Sequence, residues 1–131
     1  ADIVLDTLVC AFSQYCTTKY TVEKINVYPA TDNPKKDVLQ YPTLKYRKVE
    51  ISSENAINKV GIKCSPDQVA KLLSKMGLQT KVKENNLLDV EVPPTRHDVM
   101  HPCDIYEDVA IAWGYNNIER TVPKTATIGK E

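Results

Sequence analysis

The sequence has no excess charge of either sign: 17 Lys and Arg face 17 Asp and Glu over 131 residues, for a formal net charge of zero. A general binder of nucleic acid or of an anionic membrane carries a basic excess, so any such contact here has to come from local sorting of charge. Glycine is scarce, with four residues in all, and none of them forms the Gly-rich turn that cradles phosphates. No serine sits in a Gly-x-Ser-x-Gly elbow, and no cysteine has an obvious His and acid arrangement, which speaks against a nucleophilic triad. The four cysteines, at 10, 16, 64 and 103, include no Cys-x-x-Cys pair and no zinc-ligand spacing. Scattered thiols fit a reducing compartment, with Cys10 and Cys64 expected as small core residues. No apolar run approaches the ~20 residues of a membrane span, and no signal-peptide pattern opens the chain. The chain begins at Ala1, inside what reads as a helix, and is expected to be a piece of something larger.

The rest of the composition, 42% hydrophobic and 26% charged, is that of a globular domain with a flanking segment. Leu5, Leu8, Val9, Phe12, Tyr15 and Cys16 recur with a 3.6-residue period and predict an amphipathic helix over residues 2–16. Residues 20–28 are rich in β-branched and aromatic side chains and read as a strand. The stretch from Pro29 to Pro42 is polar and proline-rich, a surface connection in which Lys35 and Lys36 are expected to be solvated. A strand is expected over 44–51, and then a short helix capped by Ser52 or Ser53 and stopped by Gly61. Ser65-Pro66-Asp67-Gln68 is a capping box with Pro in the first helical position, opening a helix that carries Val69, Leu72, Leu73 and Met76 on one face. Residues 78–82 and 87–92 read as a hairpin joined by Lys83-Glu84-Asn85-Asn86. The order from 44 onward predicts an α+β domain, three helices packed on a short, mainly antiparallel sheet. The two helices between 52 and 76 also have helix-turn-helix spacing, although the second offers mixed charge and no arginine for base readout.

The most informative stretch runs from Val92-Pro93-Pro94-Thr95-Arg96-His97-Asp98 to Gly114-Tyr115-Asn116-Asn117-Ile118. The two prolines favour an extended approach, Pro102 suits the first turn of a helix, and Gly114 stands where its left-handed closing residue is expected. On a helical projection Asp104, Glu107, Asp108 and Ile111 share a face beside an apolar stripe of Ile105, Val109, Ala112 and Trp113. Asp98 can fold back to join the three acids. Acids in a first turn stabilise the positive helix end, and a cluster of carboxylates also suits a hard cation such as Mg²⁺. Arg96 is the rival counter-charge. His97 and His101 are expected on the surface or in the turn rather than as a metal pair.

Pro93-Pro94-Thr95-Arg96-x-Asp98, Asp104-Ile105-x-Glu107-Asp108-Val109-Ala110 and Gly114-Tyr115-Asn116-Asn117-Ile118 together resemble the B5 domain of the phenylalanyl-tRNA synthetase β-subunit family, its eukaryotic cytosolic branch in particular. The likeness extends upstream through residues 51–77 and more weakly to the first helix and strand. It implies three segments: 1–43, the end of a preceding β-subunit region; 44–119, the B5 domain, likened to winged-helix and other DNA-binding folds; and 120–131, a linker. It further implies a cytoplasmic enzyme of two α and two β subunits that joins phenylalanine to tRNA(Phe) with ATP, its aminoacylation centre in the α subunit. No catalytic residue is then expected in this chain, which is expected to be inactive alone. The family's Mg²⁺ ligands fall on Asp98, Asp104, Glu107 and Asp108. The alternative is an independent nucleic-acid-binding module with a basic face of Lys59, Lys63, Lys71, Lys75, Lys81 and Lys83.

Overall fold

The computed structural model describes residues 1–28, 30, 38–122, 125 and 127–129. In chain order its elements are helix α1 (Asp2–Ser13), strands β1 (Ile25–Val27), β2 (Leu39–Tyr41) and β3 (Arg47–Ser52), helices α2 (Ser53–Val60) and α3 (Pro66–Lys75), strands β4 (Gln79–Val82) and β5 (Leu87–Val92), and helix α4 (Pro102–Trp113). β1 and β2 form an antiparallel ribbon, and a second antiparallel sheet has the order β3-β5-β4. The expected α+β architecture is present.

β5 is the central strand, and its pattern shows why. Leu88, Val90 and Val92 are fully buried while Leu87, Asp89 and Glu91 alternate with them toward the other face. That outer face is polar: Lys48 lies opposite Glu91 and Lys81 opposite Asp89, cross-strand pairs of opposite charge. On the inner face the strand residues meet Val69 and Leu73 of α3, Leu78, Val99, and Ile105 and Val109 of α4 in one apolar cluster. α2 starts on the Ser52 hydroxyl, which accepts from the Asn55 amide, and ends at Gly61 in the left-handed conformation (φ 77°, ψ 35°). α3 has the reciprocal capping box that its sequence announces, between Ser65 and Gln68. The β4–β5 turn uses Asn85 and Asn86 at φ 58°, a region that asparagine tolerates better than most residues.

Differences gather before residue 47. α1 stops at Ser13 rather than near 16, and its only buried side chains are Asp6 and Ser13, not the apolar stripe. Asp6 accepts hydrogen bonds from the Thr43 amide (3.2 Å) and hydroxyl (2.9 Å) and from the Leu44 amide (3.3 Å), so the helix is docked through a carboxylate. β1 covers three residues of the nine expected to be extended, and β2 lies inside the stretch expected to be a loop. Lys35 and Lys36 lie outside the described residues. β3 begins at Arg47 instead of 44, because Leu44 turns through φ 45° as its amide reaches Asp6. Cys10 and Cys64 are half-buried, Cys64 packing against the core cluster and Cys10 lying outside it, and burial raises both thiols above their ordinary range. Among the described residues, no helix is long and apolar enough to cross a membrane.

Candidate functional site

Beyond β5, Pro93 and Pro94 lead into a turn closed by the Arg96 amide on the Pro93 carbonyl (3.0 Å). The turn delivers Arg96 to the junction of three elements. Its Nε donates to both Asp98 carboxylate oxygens (2.9 and 3.1 Å), and Nη2 donates to Asp98 Oδ2 (2.7 Å) and Asp108 Oδ2 (2.8 Å). Nη1 donates to the Met76 carbonyl (2.9 Å) at the C-terminal end of α3. A planar guanidinium suits this work because its donors leave in several fixed directions, which a lysine cannot match. Asp108 is only 4% exposed, and a carboxylate taken out of water requires such a counter-charge. Arg96 holds the Asp98 carboxyl below the usual carboxylate range, partly opposed by burial.

The four acids expected as one cation site occupy different environments. Asp98 and Asp108 share Arg96. Asp104 Oδ2 accepts from the amides of Met100 (2.8 Å) and His101 (2.7 Å), while His101 Nδ1 accepts from the Cys103 amide (3.3 Å). The result is a capping box at the start of α4 with a histidine in the capping position, and the backbone donors, His101 first, lower the Asp104 carboxyl. Glu107 is exposed beside a shallow groove bordered by Lys59, Val60, Tyr106, Ala110, Tyr115 and Ile118. The helical projection accounts for the separation: Glu107 and Asp108 lie about 100° apart, which leaves one in solvent and turns the other against the apolar stripe. Among the described residues no group of three or more His, Cys, Asp or Glu side chains is placed to hold a metal ion. The residues therefore do not fit a preassembled Mg²⁺ site within this chain, since three of the four carboxylates already have donors. His97 is half-buried with its Nε2 atom enclosed and without a hydrogen-bond partner, and His101 caps a helix.

Gly114 departs from expectation in detail. Its φ is positive (93°), as a helix-closing glycine requires, but ψ is 116° rather than that of the left-handed helix, and a short 3-10 turn over Tyr115–Asn117 follows. The step is held by Asn117, whose Nδ2 donates to the Trp113 carbonyl (2.9 Å) while Trp113 Nε1 donates to the Asn117 carbonyl (3.4 Å). A β-carbon at Gly114 would lie 2.9 Å from Asn117 Nδ2.

The lysines of the alternative reading are partly neutralised. Lys83 contacts Glu50 (2.9 Å) and Asp89 (3.6 Å), and Lys63 reaches Glu119 (3.9 Å). Lys71 and Lys75 flank a shallow groove with Gln68, Leu72 and Trp113. The multiple role of Arg96 was visible in sequence only as a possible counter-charge; its bond to Met76, twenty residues earlier, depends on how α3 ends. His101 as a cap had no signal, because histidine is not among the residues usual at that position.

Residues 49–115 match the family model described as tRNA synthetase B5 domain. Along its whole length the chain is 46% identical to the phenylalanine–tRNA ligase β subunits of Drosophila melanogaster (131 residues) and Homo sapiens (133 residues). Over 94% of the chain it is 38% identical to the protein named phenylalanine–tRNA ligase β subunit, cytoplasmic, of Arabidopsis thaliana. The chain spans only 21–22% of the length of these relatives. Among solved structures it resembles an N-terminal fragment of the phenylalanyl-tRNA synthetase β subunit from Pyrococcus horikoshii, with a TM-score of 0.72 and 24% identity, over 88% of this chain and 30% of that one. At that identity the likeness speaks for the fold.

Proposed function

Since the chain belongs to the tRNA synthetase B5 domain family, we propose that it serves as a structural module of a phenylalanine–tRNA ligase β subunit in the cytoplasm. In this role it supports ATP-dependent attachment of phenylalanine to tRNA(Phe) by an enzyme of α and β subunits. The observation that carries the reading is the 46% identity to such β subunits along the entire chain. The chain's own part is mechanical. Arg96 fastens the turn after β5 to the buried face of α4 and the end of α3, and this fixes the direction in which α4 presents its outer face. Glu107, Ile111 and Tyr115 on and beyond that face are exposed and free to meet an α subunit. Mg²⁺ ligation by Asp98, Asp104, Glu107 and Asp108 is implied by the resemblance alone.

The test is reconstitution. A full-length β subunit carrying Glu107→Lys with Ile111→Asp should capture less α subunit and form less Phe-tRNA than its parent, with the melting of the 131-residue chain carrying the same changes unaltered. The chain alone should form no Phe-tRNA. Undiminished capture, or aminoacylation by the isolated chain, refutes the proposal. Salt-sensitive binding of duplex DNA along α3 without any affinity for α would favour the nucleic-acid alternative.

A further inference from the structure

A groove separate from the one beside Glu107 lies between α3 and the end of α4, lined by Gln68, Lys71, Leu72, Lys75 and Trp113. Its volume, about 200 Å³, is below the roughly 300–1,000 Å³ of a small-molecule pocket and suits a single aromatic side chain. The floor is apolar. Leu72 belongs to the core cluster, and Trp113 engages its one polar side-chain atom, Nε1, with the Asn117 carbonyl (3.4 Å). The rim carries donors and no acid. Lys71 and Lys75 are exposed, one helical turn apart, and make no ion pair among the described residues, although Asp67 stands one turn before Lys71. Gln68 uses Oε1 to accept from the Ser65 amide (2.8 Å), which leaves Nε2 as a further donor.

We propose that this groove docks an acidic peptide segment of a separate protein, with one aromatic side chain seated on Leu72 and Trp113 and flanking carboxylates held by Lys71 and Lys75. Two unpaired cations beside an amide donor call for a ligand rich in acceptors, and an aromatic anchor in a small apolar pocket is where a short interface gains most of its affinity. Nucleic acid fits the surroundings less well. Its backbone is held by several cations spread along the contact, whereas Lys63 reaches Glu119, Lys83 contacts Glu50 and Asp89, and Lys81 lies opposite Asp89. Lysine is depleted from the cores of permanent interfaces, so exposed lysines around one small apolar spot fit reversible contact with a separate protein, not the lasting cover of a neighbouring domain. Glu107, Ile111 and Tyr115 take no part in this groove, which makes it independent of any contact between α4 and an α subunit.

Trp113 is the chain's only tryptophan, so its emission reports on the groove directly. The probe is a capped peptide, Glu-Asp-Glu-Phe-Glu-Asp-Glu, added to the 131-residue chain at low salt. Trp113 emission should move to the blue and its quenching by acrylamide should fall, with half-saturation below about 1 mM. The same peptide with Ala in place of Phe should lose the response. Lys71→Glu with Lys75→Glu should weaken binding at least about tenfold with the melting of the chain little changed, and Lys71→Arg with Lys75→Arg should bind like the parent. No response up to about 1 mM, an equal response to a peptide with Lys at every acidic position, or undiminished binding by the charge-reversed variant overturns the proposal. A tighter response to a single-stranded oligonucleotide of equal charge assigns the groove to nucleic acid and also overturns it. A labelled copy of the peptide, read by anisotropy, should bind the full-length β subunit as it binds the short chain; loss of binding there means that the subunit's own polypeptide covers the groove, and overturns the proposal. Only this last comparison requires the chain to be part of a β subunit, so failure of that reading is distinguishable from failure of the docking.

Discussion

Replacing Arg96 with Met removes the one cation that, among the described residues, serves the buried carboxylate of Asp108, while keeping an unbranched side chain. The contact with Asp98 is worth little, since that carboxylate is 62% exposed and surface pairs contribute under about 1 kcal/mol. The contact with Asp108, whose side chain is 6% exposed, is different in kind. Breaking a buried pair by removing one partner costs roughly 3–5 kcal/mol, and the 23% exposure of the arginine side chain places this case near the lower end. Loss of the Met76 carbonyl contact adds about 1 kcal/mol. The expected loss is about 3–4 kcal/mol, read as a fall in the urea midpoint with the slope unchanged. The double variant Arg96→Met with Asp108→Leu replaces both ends with apolar groups and should recover about 2 kcal/mol of that loss. A single-variant loss below about 1 kcal/mol, or additivity of the two changes within about 0.5 kcal/mol, would refute the assignment of Arg96 as the counter-charge. Millimolar Mg²⁺ offers a second refutation. It should leave the parent midpoint unmoved, and stabilisation of the parent by the ion would mean that the acids assemble a site despite their present partners.

Two further outcomes follow from the same geometry. The Asp98 and Asp104 carboxyls are lowered from an ordinary value of 3.8, so the stability they lend is fully present above that value and drains as pH falls through their folded values; Asp98→Asn should flatten this acid limb in urea titrations collected from neutral to acid pH, and an unchanged limb would count against the Arg96 pairing. Gly114→Ala meets a positive φ and an Asn117 amide nitrogen 2.9 Å from the new carbon, and should cost about 1–3 kcal/mol by thermal melting, whereas a neutral effect would show that the Trp113–Asn117 clasp yields freely.

Local signals carried far in the domain from residue 47 on. Ser65-Pro66-Asp67-Gln68 specifies its own helix start, because the donor, the acceptor and the missing proline N–H are within four residues. The alternation in residues 87–92 specifies a strand buried on one face, and Pro102 marks the start of α4. The same kind of evidence misled before residue 47. The 3.6-residue period of α1 correctly implies a helix with an apolar face, but periodicity says nothing of where the covering surface is, and here the described chain supplies none.

The candidate site divides along the same line. Sequence by itself set four acids and one arginine close together along the chain, on a proline-led turn and the first turns of one helix. Asp98 and Asp104 find their partners within four residues, whereas only the tertiary structure decided the contacts of Arg96 with Met76 and Asp108. The end of α3, brought up by packing of Leu72 and Leu73, places the Met76 carbonyl beside Arg96. The burial of Ile105 and Val109 carries Asp108 inward and leaves Glu107 outside. Which carboxylate needs a counter-charge is a question of dielectric surroundings, and those arise from packing between elements distant in the chain.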